Sequence, residues 1–443
     1  MTMQGTAPAE KGVPFVSSFD PSERMIHWPD AAVSNLAIWA IAAAATACVI
    51  VRPGRWPEAV WAVGGALALV LCGLLPMSTA LQAVLEGTDV YLFLIGMMLL
   101  SELARREGLF DTLAGWAVRH AGGSARRLFA LVYGIGVVVT VFMSNDATAV
   151  VLTPAVYTVA KRAGARPLPY LFACALIANA ASFVLPISNP ANLVVFGEHM
   201  PPLLAWLRAF ALPSLAAVVV TWAVLALLFR GELAEPVDHD SHVPRLSGTG
   251  RLAAIGIGGV VLAMLAASAL GFPLGAPTLI ASALAIAAVQ VSKREGPQAL
   301  LRHVSWSVLA LVAGLFVLVA GVGRTGLLSA LTELLRAAAH AAPRETAWGA
   351  GAIVAVACNL MNNLPAGLIA GTAVHSGMMP DEVRSAVAIG IDLGPNLSVT
   401  GSLATILWLV ALRREGERVS AWQFLKVGVV AMPLALVAAL ACL

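Results

Sequence analysis

The sequence predicts an all-α polytopic membrane protein made of two inverted repeats, with about ten transmembrane helices, two re-entrant hairpins and two broken helices. The first observation is composition: 59% of the 443 residues are apolar, 12% are charged, and the mean hydropathy is +0.86. These values lie outside the range of soluble domains. The second is that apolar runs of about 18 or more residues, long enough to span a bilayer, recur along the chain. The third is a single long polar interior stretch, residues 231–250, between two apolar halves.

Composition also argues against several classes of protein. The net charge of +3 is small and follows the loops, so it bears on membrane topology and not on nucleic-acid binding. The first thirty residues lack a basic start, a short apolar core and a small-residue cleavage site, so we expect no removable signal peptide. The five cysteines are scattered through apolar segments without a CxxC or a Cys/His cluster, which is typical of small buried hydrophobic residues. We therefore expect no metal site and no cofactor.

Ten spans follow from apolar runs of about the 20 residues that a crossing requires. They lie near 31–51, 57–75, 89–105, 167–195, 211–230, 251–270, 273–292, 305–321, 384–412 and 424–441. Two longer apolar stretches, 127–160 and 346–375, carry polar residues in their middle, and each is predicted to form a re-entrant pair of short helices. The predicted divisions are a polar N-terminal tail (1–30), a first repeat (31–230), a cytoplasmic linker (231–250) and a second repeat (251–443).

The evidence for the repeat is two sequence similarities between the halves, both at the same separation along the chain. "LFDTLAGWAVRHAGG" (109–123) follows the third span as "LLSALTELLRAAAHA" (327–341) follows the eighth, and the same separation of 218 residues aligns Met143-Ser144-Asn145 with Met361-Asn362-Asn363. Five crossings in each half would insert the second half upside down. This is the plan of secondary transporters, whose sites lie near the midplane where helices are interrupted.

The distribution of basic residues gives an independent test of topology, because Lys and Arg favour cytoplasmic loops. With these spans, 20 of the 27 basic residues fall on one side of the membrane and 7 on the other. We therefore expect the linker in the cytoplasm and both termini outside.

Four polar islands interrupt the apolar pattern at membrane depth. They are Ser144–Thr148, "PISNPANLVV" (186–195, with Pro186 and Pro190), "NLMNNLPAG" (359–367, with Pro365) and "DLGPNLSVTGSLAT" (Asp392 to Thr405). Non-helical backbone at this depth is tolerated only where protein or a water-filled cavity satisfies it, so the four islands are predicted to converge around one cavity.

Amides and hydroxyls in such a cavity offer both donors and acceptors, which suits a small polar solute. The predicted solute-binding residues are Ser144, Asn145, Thr148, Ser188, Asn189, Asn192, Asn359, Asn362, Asn363, Asn396, Ser398, Thr400 and Ser402. The alternative for any single one is a hydrogen bond between helices, which is common in transmembrane bundles.

Two carboxylates stand apart from these neutral groups. Asp146 and Asp392 are the acidic residues that the predicted spans place close to the islands, one in each half, and neither has a basic residue nearby in sequence. Desolvation favours the protonated form unless donors or a cation hold the carboxylate ionised. Both residues are therefore predicted to couple transport to protons. The alternative is a carboxylate held ionised by backbone amides as a fixed structural acceptor.

At "SNDATAVVLTP", "NNLPAGLIAG" and "DLGPNLSVTGSLATILWL" the chain resembles the ArsB-type arsenite/antimonite efflux permeases of the ion transporter superfamily, over roughly residues 30–441. The resemblance implies a multi-pass protein of the bacterial inner membrane, without enzymatic activity, that exports arsenite or antimonite in exchange for protons. It also implies a possible soluble ATPase partner. Members are described with twelve spans, against ten plus two hairpins here.

The chemistry of the solute fits the islands. Arsenous acid is a neutral molecule with three hydroxyls, so it requires several neutral donors and acceptors and no strong charge. Cys174 and Cys358, the cysteines nearest the islands, cannot supply a three-thiolate site.

Other functions remain open. A sodium/proton antiporter of the same superfamily would use the same carboxylates to bind a cation, whereas a dicarboxylate carrier is disfavoured because no Arg or Lys lies at the islands. The "NPA" at 189–191 resembles water and glycerol channels, but the second half has "GPN" instead of a second copy. An intramembrane enzyme would need a Ser/His pair or a metal cluster, and histidines such as His27, His239 and His303 lie at predicted ends or loops.

Overall fold

A computed structural model describes residues 31–238, 246–302 and 304–443, and these residues form helices without a β-strand. The prediction of an all-α fold is thereby confirmed. The predicted N-terminal tail, part of the linker, and His27, His239 and His303 lie outside the described residues.

The helices of the first half are α1 (Ala31–Val51), α2 (Glu58–Leu71), α3 (Met77–Glu86), α4 (Thr88–Arg106), α5 (Leu109–Ala121), α6 (Ala125–Met143), α7 (Asn145–Ala147), α8 (Thr153–Arg162), α9 (Leu168–Ala180), α10 (Pro190–Phe196) and α11 (Leu203–Leu228). Those of the second half are α12 (Gly248–Ala269), α13 (Gly275–Lys293), α14 (Gln298–Leu301), α15 (Ser307–Gly323), α16 (Leu327–Ala341), α17 (Pro343–Met361), α18 (Asn363–Ser376), α19 (Asp381–Leu393), α20 (Leu403–Arg414) and α21 (Ala421–Leu440). Short 3₁₀ turns lie at Pro53–Arg55, Pro186–Ser188, Gly197–His199, Glu232–Ala234 and Gly394–Asn396, and a π-helical segment at Thr148–Leu152.

Every predicted span contains a helix, but the described helices that are long enough to cross a membrane are fewer than the ten predicted spans. By length and composition, six of the described helices can cross a membrane, or up to eight if two bent pairs each count as one span. The bent pairs are α3 with α4, at 47°, and α15 with α16, at 75°. The sequence analysis did not predict α3, because "MSTALQAVLE" is short and four of its ten residues are polar. The count of ten crossings stays a prediction.

Several helices of the two halves correspond in length, in position and in the helices they contact. Helix α6 and helix α17 are both 19 residues long, and their first and last residues are displaced by the same 218 positions. Their contacts correspond as well: α6 packs on α9 as α17 packs on α19, and α2 packs on α15 as α4 packs on α13. The last two pairs join the halves, so the helices of residues 31–230 pack partly on the second half. These correspondences favour a two-fold arrangement, and its inversion in the membrane stays a prediction.

Each predicted hairpin turns at a strained residue. Ser144, between α6 and α7, has φ 108°, and Asn362, between α17 and α18, has φ 75°. Positive φ is unfavourable for residues other than glycine, and such strain is found most often at functional sites. Beyond the first turn, Pro154 cannot donate a backbone hydrogen bond, and the helix before it widens into the π-helical segment.

Prolines also break the two long spans. Helix α9 ends at Ala180, and the chain continues through Pro186 before α10 begins at Pro190. Helix α19 ends at Leu393, a turn containing Pro395 follows, and α20 begins at Leu403. A proline in a helix removes a backbone donor and clashes with the preceding turn, so the helix opens at both places.

Helix α12 overlaps the last residues of the predicted linker, whose bounds of 231–250 stay a prediction. Helix α12 begins at Gly248, where the Ser247 hydroxyl accepts a hydrogen bond from the Gly250 amide at 2.9 Å. An N-terminal serine cap satisfies an amide that has no partner within the helix, so the helix starts inside the predicted linker. At the other end, the Val237 and Asp238 amides donate to the Gly123 and Ala163 carbonyls.

Candidate functional site

The structure brings the four polar islands together. The Ser188 hydroxyl donates to the Val141 carbonyl at 3.1 Å, which joins the second island to the first hairpin. Asn189 donates to Asp392 at 2.6 Å, which joins the second island to the fourth. Asn359 donates to the Gly394 carbonyl at 2.9 Å, which joins the third island to the fourth. The irregular backbone is therefore surrounded by protein, as its depth requires.

Asp392 lies at the centre of these contacts. It is fully buried, and its Oδ1 accepts the hydrogen bond from Asn189 Nδ2. The orientation of Asn189 is fixed because its own oxygen accepts from the Ala191 amide at 3.0 Å and caps α10. Asp392 Oδ2 has no hydrogen-bond partner among the described residues. A buried acceptor without a partner is costly, which makes this oxygen a candidate contact for a solute or a proton.

A second buried cluster contains a residue that the sequence analysis missed. Asn179, at the end of α9, donates to Asn396 Oδ1 at 2.9 Å, and Ser402 donates to Asn179 Oδ1 at a longer 3.5 Å. Ser402 also lies 3.1 Å from Thr405, within the cap of α20. A lone Asn in "ACALIANAA" looks like an ordinary interhelical contact. The available signal was the register of the repeat, because Asn179 precedes Asn189 by ten positions, as Asp392 precedes Ser402.

The second hairpin is held to the fourth island by hydrogen bonds within the protein. Asn359 Nδ2 donates to the carbonyls of Ala355 and Gly394, and its Oδ1 accepts from Ser398 at 2.7 Å. The Thr400 hydroxyl donates to the Asn359 carbonyl at 2.8 Å. Asn359, Ser398 and Thr400 were predicted to bind solute, but here they satisfy one another.

The tip of the second hairpin is bonded in the same way. The Asn362 oxygen accepts from the Leu364 amide at 3.3 Å, and the Asn362 amino group donates to the Thr400 carbonyl at 3.5 Å. The backbone N–H of Asn363 donates to the Gly401 carbonyl at 2.9 Å. On its other side, Asn362 borders a mostly apolar cleft between α1, α15 and α20.

The tip of the first hairpin has groups without partners. Asn145 is buried, and its Oδ1 accepts no hydrogen bond among the described residues. Asp146 is half-buried, and no hydrogen bond or ion pair to it occurs in the described part of the chain. Thr148, by contrast, is bonded to Thr140 at 2.8 Å and holds the two arms of the hairpin together.

Asn192 completes the predicted set. It is buried on α10, and its amino group donates to the Ser182 carbonyl at 2.9 Å in the break after α9. Like Thr148, it is bonded to the protein itself.

Helix N termini add partial positive charge to the site. Ser144, Asn362, Asn189 and Ser402 are the N-cap residues of α7, α18, α10 and α20. Unpaired amides at a helix N terminus attract carboxylates and other acceptors. No Arg or Lys within the described ranges forms an ion pair with Asp146 or Asp392. The site therefore combines neutral amides and hydroxyls with two carboxylates that lack a cationic partner.

The comparisons with known proteins agree with this architecture. The chain is 26% identical to the arsenical pump membrane protein of Yersinia enterocolitica over 76% of this chain and 81% of that protein. It is 28% identical to the arsenical pump membrane protein of Escherichia coli K12, with the same coverage. The Alcanivorax borkumensis YdaH transporter superposes with a TM-score of 0.56 at 17% identity, over 92% of this chain and 97% of that structure. The last likeness concerns the fold alone.

The arsenical pump relatives and the apolar helices define a multi-pass membrane transporter of the bacterial inner membrane, and its family is one of transporters and not of enzymes. Residues 38–391 match the family described as citrate transporter, and the chain belongs to that family. The predicted resemblance to ArsB-type permeases is confirmed by the arsenical pump relatives.

Proposed function

We propose that this chain is an efflux transporter that exports arsenite, as the neutral hydroxide, in exchange for protons. The observation that carries the proposal is the pair of buried acceptors without partners, Asn145 Oδ1 and Asp392 Oδ2, at the polar centre of the transporter. The names of the arsenical pump relatives support the same substrate class.

The solute and the site are complementary in hydrogen bonding. Arsenous acid carries three hydroxyls, which are enough to donate to both Asn145 Oδ1 and Asp392 Oδ2, and a buried acceptor left unsatisfied costs about 1–3 kcal/mol. Binding without thiolates also allows release, which an exporter requires. Antimonous hydroxide presents the same three donors, so antimonite is the second proposed substrate. A soluble ATPase partner stays a prediction of the resemblance.

Asp392 is the proposed coupling group because its protonation state affects its hydrogen bond to Asn189, the cap of α10. When ionised, it accepts from Asn189, the cap of α10, and leaves Oδ2 free to accept from the solute. When protonated from the outside, Oδ2 becomes a hydroxyl donor and a much weaker acceptor than a carboxylate oxygen, so the solute is bound less tightly and is released. Loss of that proton to the cytoplasm restores the acceptor. Asp146 is the second candidate for this role.

Two competing solutes follow from the family and the carboxylates. The family is described as citrate transporter, and citrate is a multivalent anion that requires cationic or strongly donating partners. Asp146 and Asp392 would repel it, and no described Arg or Lys is paired with either. Sodium would instead be attracted to both carboxylates, as in the sodium/proton alternative.

The test is uptake into everted membrane vesicles with an imposed proton gradient. Arsenite, citrate and sodium are offered separately to the wild type, to Asp392→Asn and to a control, Asp89→Asn. Asp89 caps α13 by accepting from the Gly275 amide at 2.7 Å, and an asparagine there keeps an acceptor oxygen. We expect gradient-driven arsenite uptake by the wild type and the control, and a loss of at least about tenfold in Asp392→Asn, which corresponds to ~1.4 kcal/mol.

Three results would decide against the proposal. Arsenite uptake that ignores the gradient would remove proton exchange. Citrate uptake without arsenite uptake would assign the chain the substrate for which its family is named. Full gradient-driven activity of Asp392→Asn would move the coupling to another group.

A further inference from the structure

Asn179 and Asp392 occupy equivalent positions in the two broken spans. Helices α9 and α19 are both 13 residues long, and each of the two residues is the last but one in its helix. The short helices that follow begin at Pro190 and Leu403, and their N-cap residues are Asn189 and Ser402. Asn179 and Asp392 are separated by 213 positions in the sequence, and so are Asn189 and Ser402. The correspondence therefore covers the helix end and the cap together.

The two positions also make equivalent contacts across the halves. Asp392 of the second half accepts from the cap of α10 in the first half, at 2.6 Å. Asn179 of the first half accepts from the cap of α20 in the second half, at 3.5 Å. Each broken span thus bonds to the short helix of the other half. The two contacts differ in chemistry, because a carboxyl group can gain or lose a proton at Asp392 and an amide cannot at Asn179.

The hydrogen bonds around Asn179 fix what this position requires. The Leu176 carbonyl only accepts, so Asn396 directs its amino group to it, at 2.9 Å, and its oxygen to Asn179. Asn179 must then donate to Asn396 at 2.9 Å, with a longer contact of 3.5 Å to the Thr405 hydroxyl, and present its own oxygen to Ser402. The position therefore needs at least one donor, toward Asn396, and one acceptor on a fully buried side chain.

We propose that Asn179 is a positioning residue: it holds α20 at the site through Ser402, and its neutrality confines the change of protonation to the Asp392 contact. This inference rests on the proposed function, in which Asp392 exchanges protons. During the transport cycle the contact between Asp392 and Asn189 then changes with protonation, whereas the equivalent contact between Asn179 and Ser402 stays constant.

The requirement for one donor and one acceptor gives a specific test. A neutral carboxylic acid also offers one donor and one acceptor, whereas a carboxylate offers acceptors alone. The variant Asn179→Asp should therefore keep the contact while its new acid is protonated. When pH rises and this acid ionises, two oxygens face each other at Asn396 Oδ1, and the contact is lost. The variant Asn179→Ala lacks the donor and the acceptor at every pH.

The experiment measures arsenite counterflow in vesicles with equal pH on both sides, so that no proton gradient drives transport. Rates of Asn179→Asp and Asn179→Ala are divided by the wild-type rate at each pH. We expect the ratio for Asn179→Asp to be near one at the acidic end and to fall by at least about tenfold as pH rises, in keeping with the loss of a buried hydrogen bond. For Asn179→Ala we expect a low ratio throughout.

Thermal unfolding in detergent provides a second measurement that does not depend on the substrate. The unfolding temperature of Asn179→Asp should match that of the wild type at low pH and drop below it as pH rises. A ratio and an unfolding temperature that do not change with pH would overturn the positioning role. So would wild-type counterflow by Asn179→Ala, or failure of Asn179→Asp to fold at low pH. If the wild type itself does not transport arsenite, the proposed function fails, and the unfolding measurement still tests Asn179.

Discussion

The tips of the two hairpins have equivalent positions and opposite hydrogen-bonding states. Both turn at a residue with positive φ, Ser144 in the first and Asn362 in the second. Around the second tip, amides and hydroxyls of the third and fourth islands bond to one another. At the first tip, Asn145 Oδ1 is buried without a partner, and Asp146 has none in the described part of the chain.

The difference indicates a division of roles. Polar groups that are already satisfied gain little from a solute, whereas a buried acceptor without a partner gains a full hydrogen bond. We therefore infer that the second tip maintains the structure of the site and that the first tip is available to the solute. Removing polar groups should affect stability at the second tip and transport at the first.

The largest expected effect is on the stability of the second tip. Asn359→Ala removes one of the two partners of Ser398, which stays bonded to Thr400, and two bonds to backbone carbonyls. Since a hydrogen bond contributes about 0.5–1.5 kcal/mol, the loss of all three bonds should lower the free energy of unfolding by about 3 kcal/mol. Reversible unfolding in mixed detergent would measure it. If the variant is as stable as the wild type but transports poorly, Asn359 binds the solute, as the sequence predicts.

Gly401→Ala should have the next largest effect, in the same loop. A Cβ atom at Gly401 would lie 2.5 Å from Pro395 Cα and 2.8 Å from Asn359 Oδ1, closer than such atoms approach. Forcing extra volume into a packed site costs about 1–3 kcal/mol. We expect a destabilisation of about 2 kcal/mol in the same unfolding measurement. Gly134→Ala is the control, because a Cβ atom there meets no atom within 4 Å.

Much of the fold could be predicted because it follows from local signals. Apolar runs gave the positions of the helices, and Pro186, Pro190 and Pro395 gave the breaks, since proline ends helices for reasons internal to the chain. Helix α3 was missed because its ten residues are too short and too polar to resemble a span. Whether α6 crosses the membrane or turns back depends on its neighbours, and its length allows either.

The site was predicted in composition but not in its bonding. Asn189 and Asp392 were singled out separately, and the bond that joins them spans the two halves, where no sequence pattern reaches. Asn359 and Ser398 were predicted to bind solute, and the bond between them could not be predicted because side-chain direction is not encoded in the pattern of polar residues. Asn179 was missed because one Asn in an apolar helix has no local signature. Only the register of the repeat distinguishes it.

Asn145→Ala tests the first tip with a smaller expected effect. The substitution removes an acceptor that bonds to nothing in the described residues, so we expect the free energy of unfolding to change by about 0.5 kcal/mol or less. Loss of one hydrogen bond to the solute should weaken arsenite binding about tenfold, equivalent to ~1.4 kcal/mol. Concentration-dependent uptake would show this as a raised KM. A loss of stability as large as that of Asn359→Ala would show that the first tip, like the second, maintains the structure of the site.

Asp146→Asn is expected to have the smallest effect and separates the two carboxylates. Asp392 is fully buried and bonded to the cap of α10, whereas Asp146 is half-buried and bonded to no described element. An asparagine of nearly equal shape at 146 should therefore lower arsenite transport by about threefold or less, below 1 kcal/mol. Its dependence on the proton gradient should remain that of the wild type, because the Asp392 contact is intact. Gradient-driven uptake measured beside Asp392→Asn checks both points. If Asp146→Asn instead abolishes the dependence on the gradient, the Asp146 carboxylate of the first tip carries the proton. The contact between Asp392 and Asn189 then stays unchanged during transport.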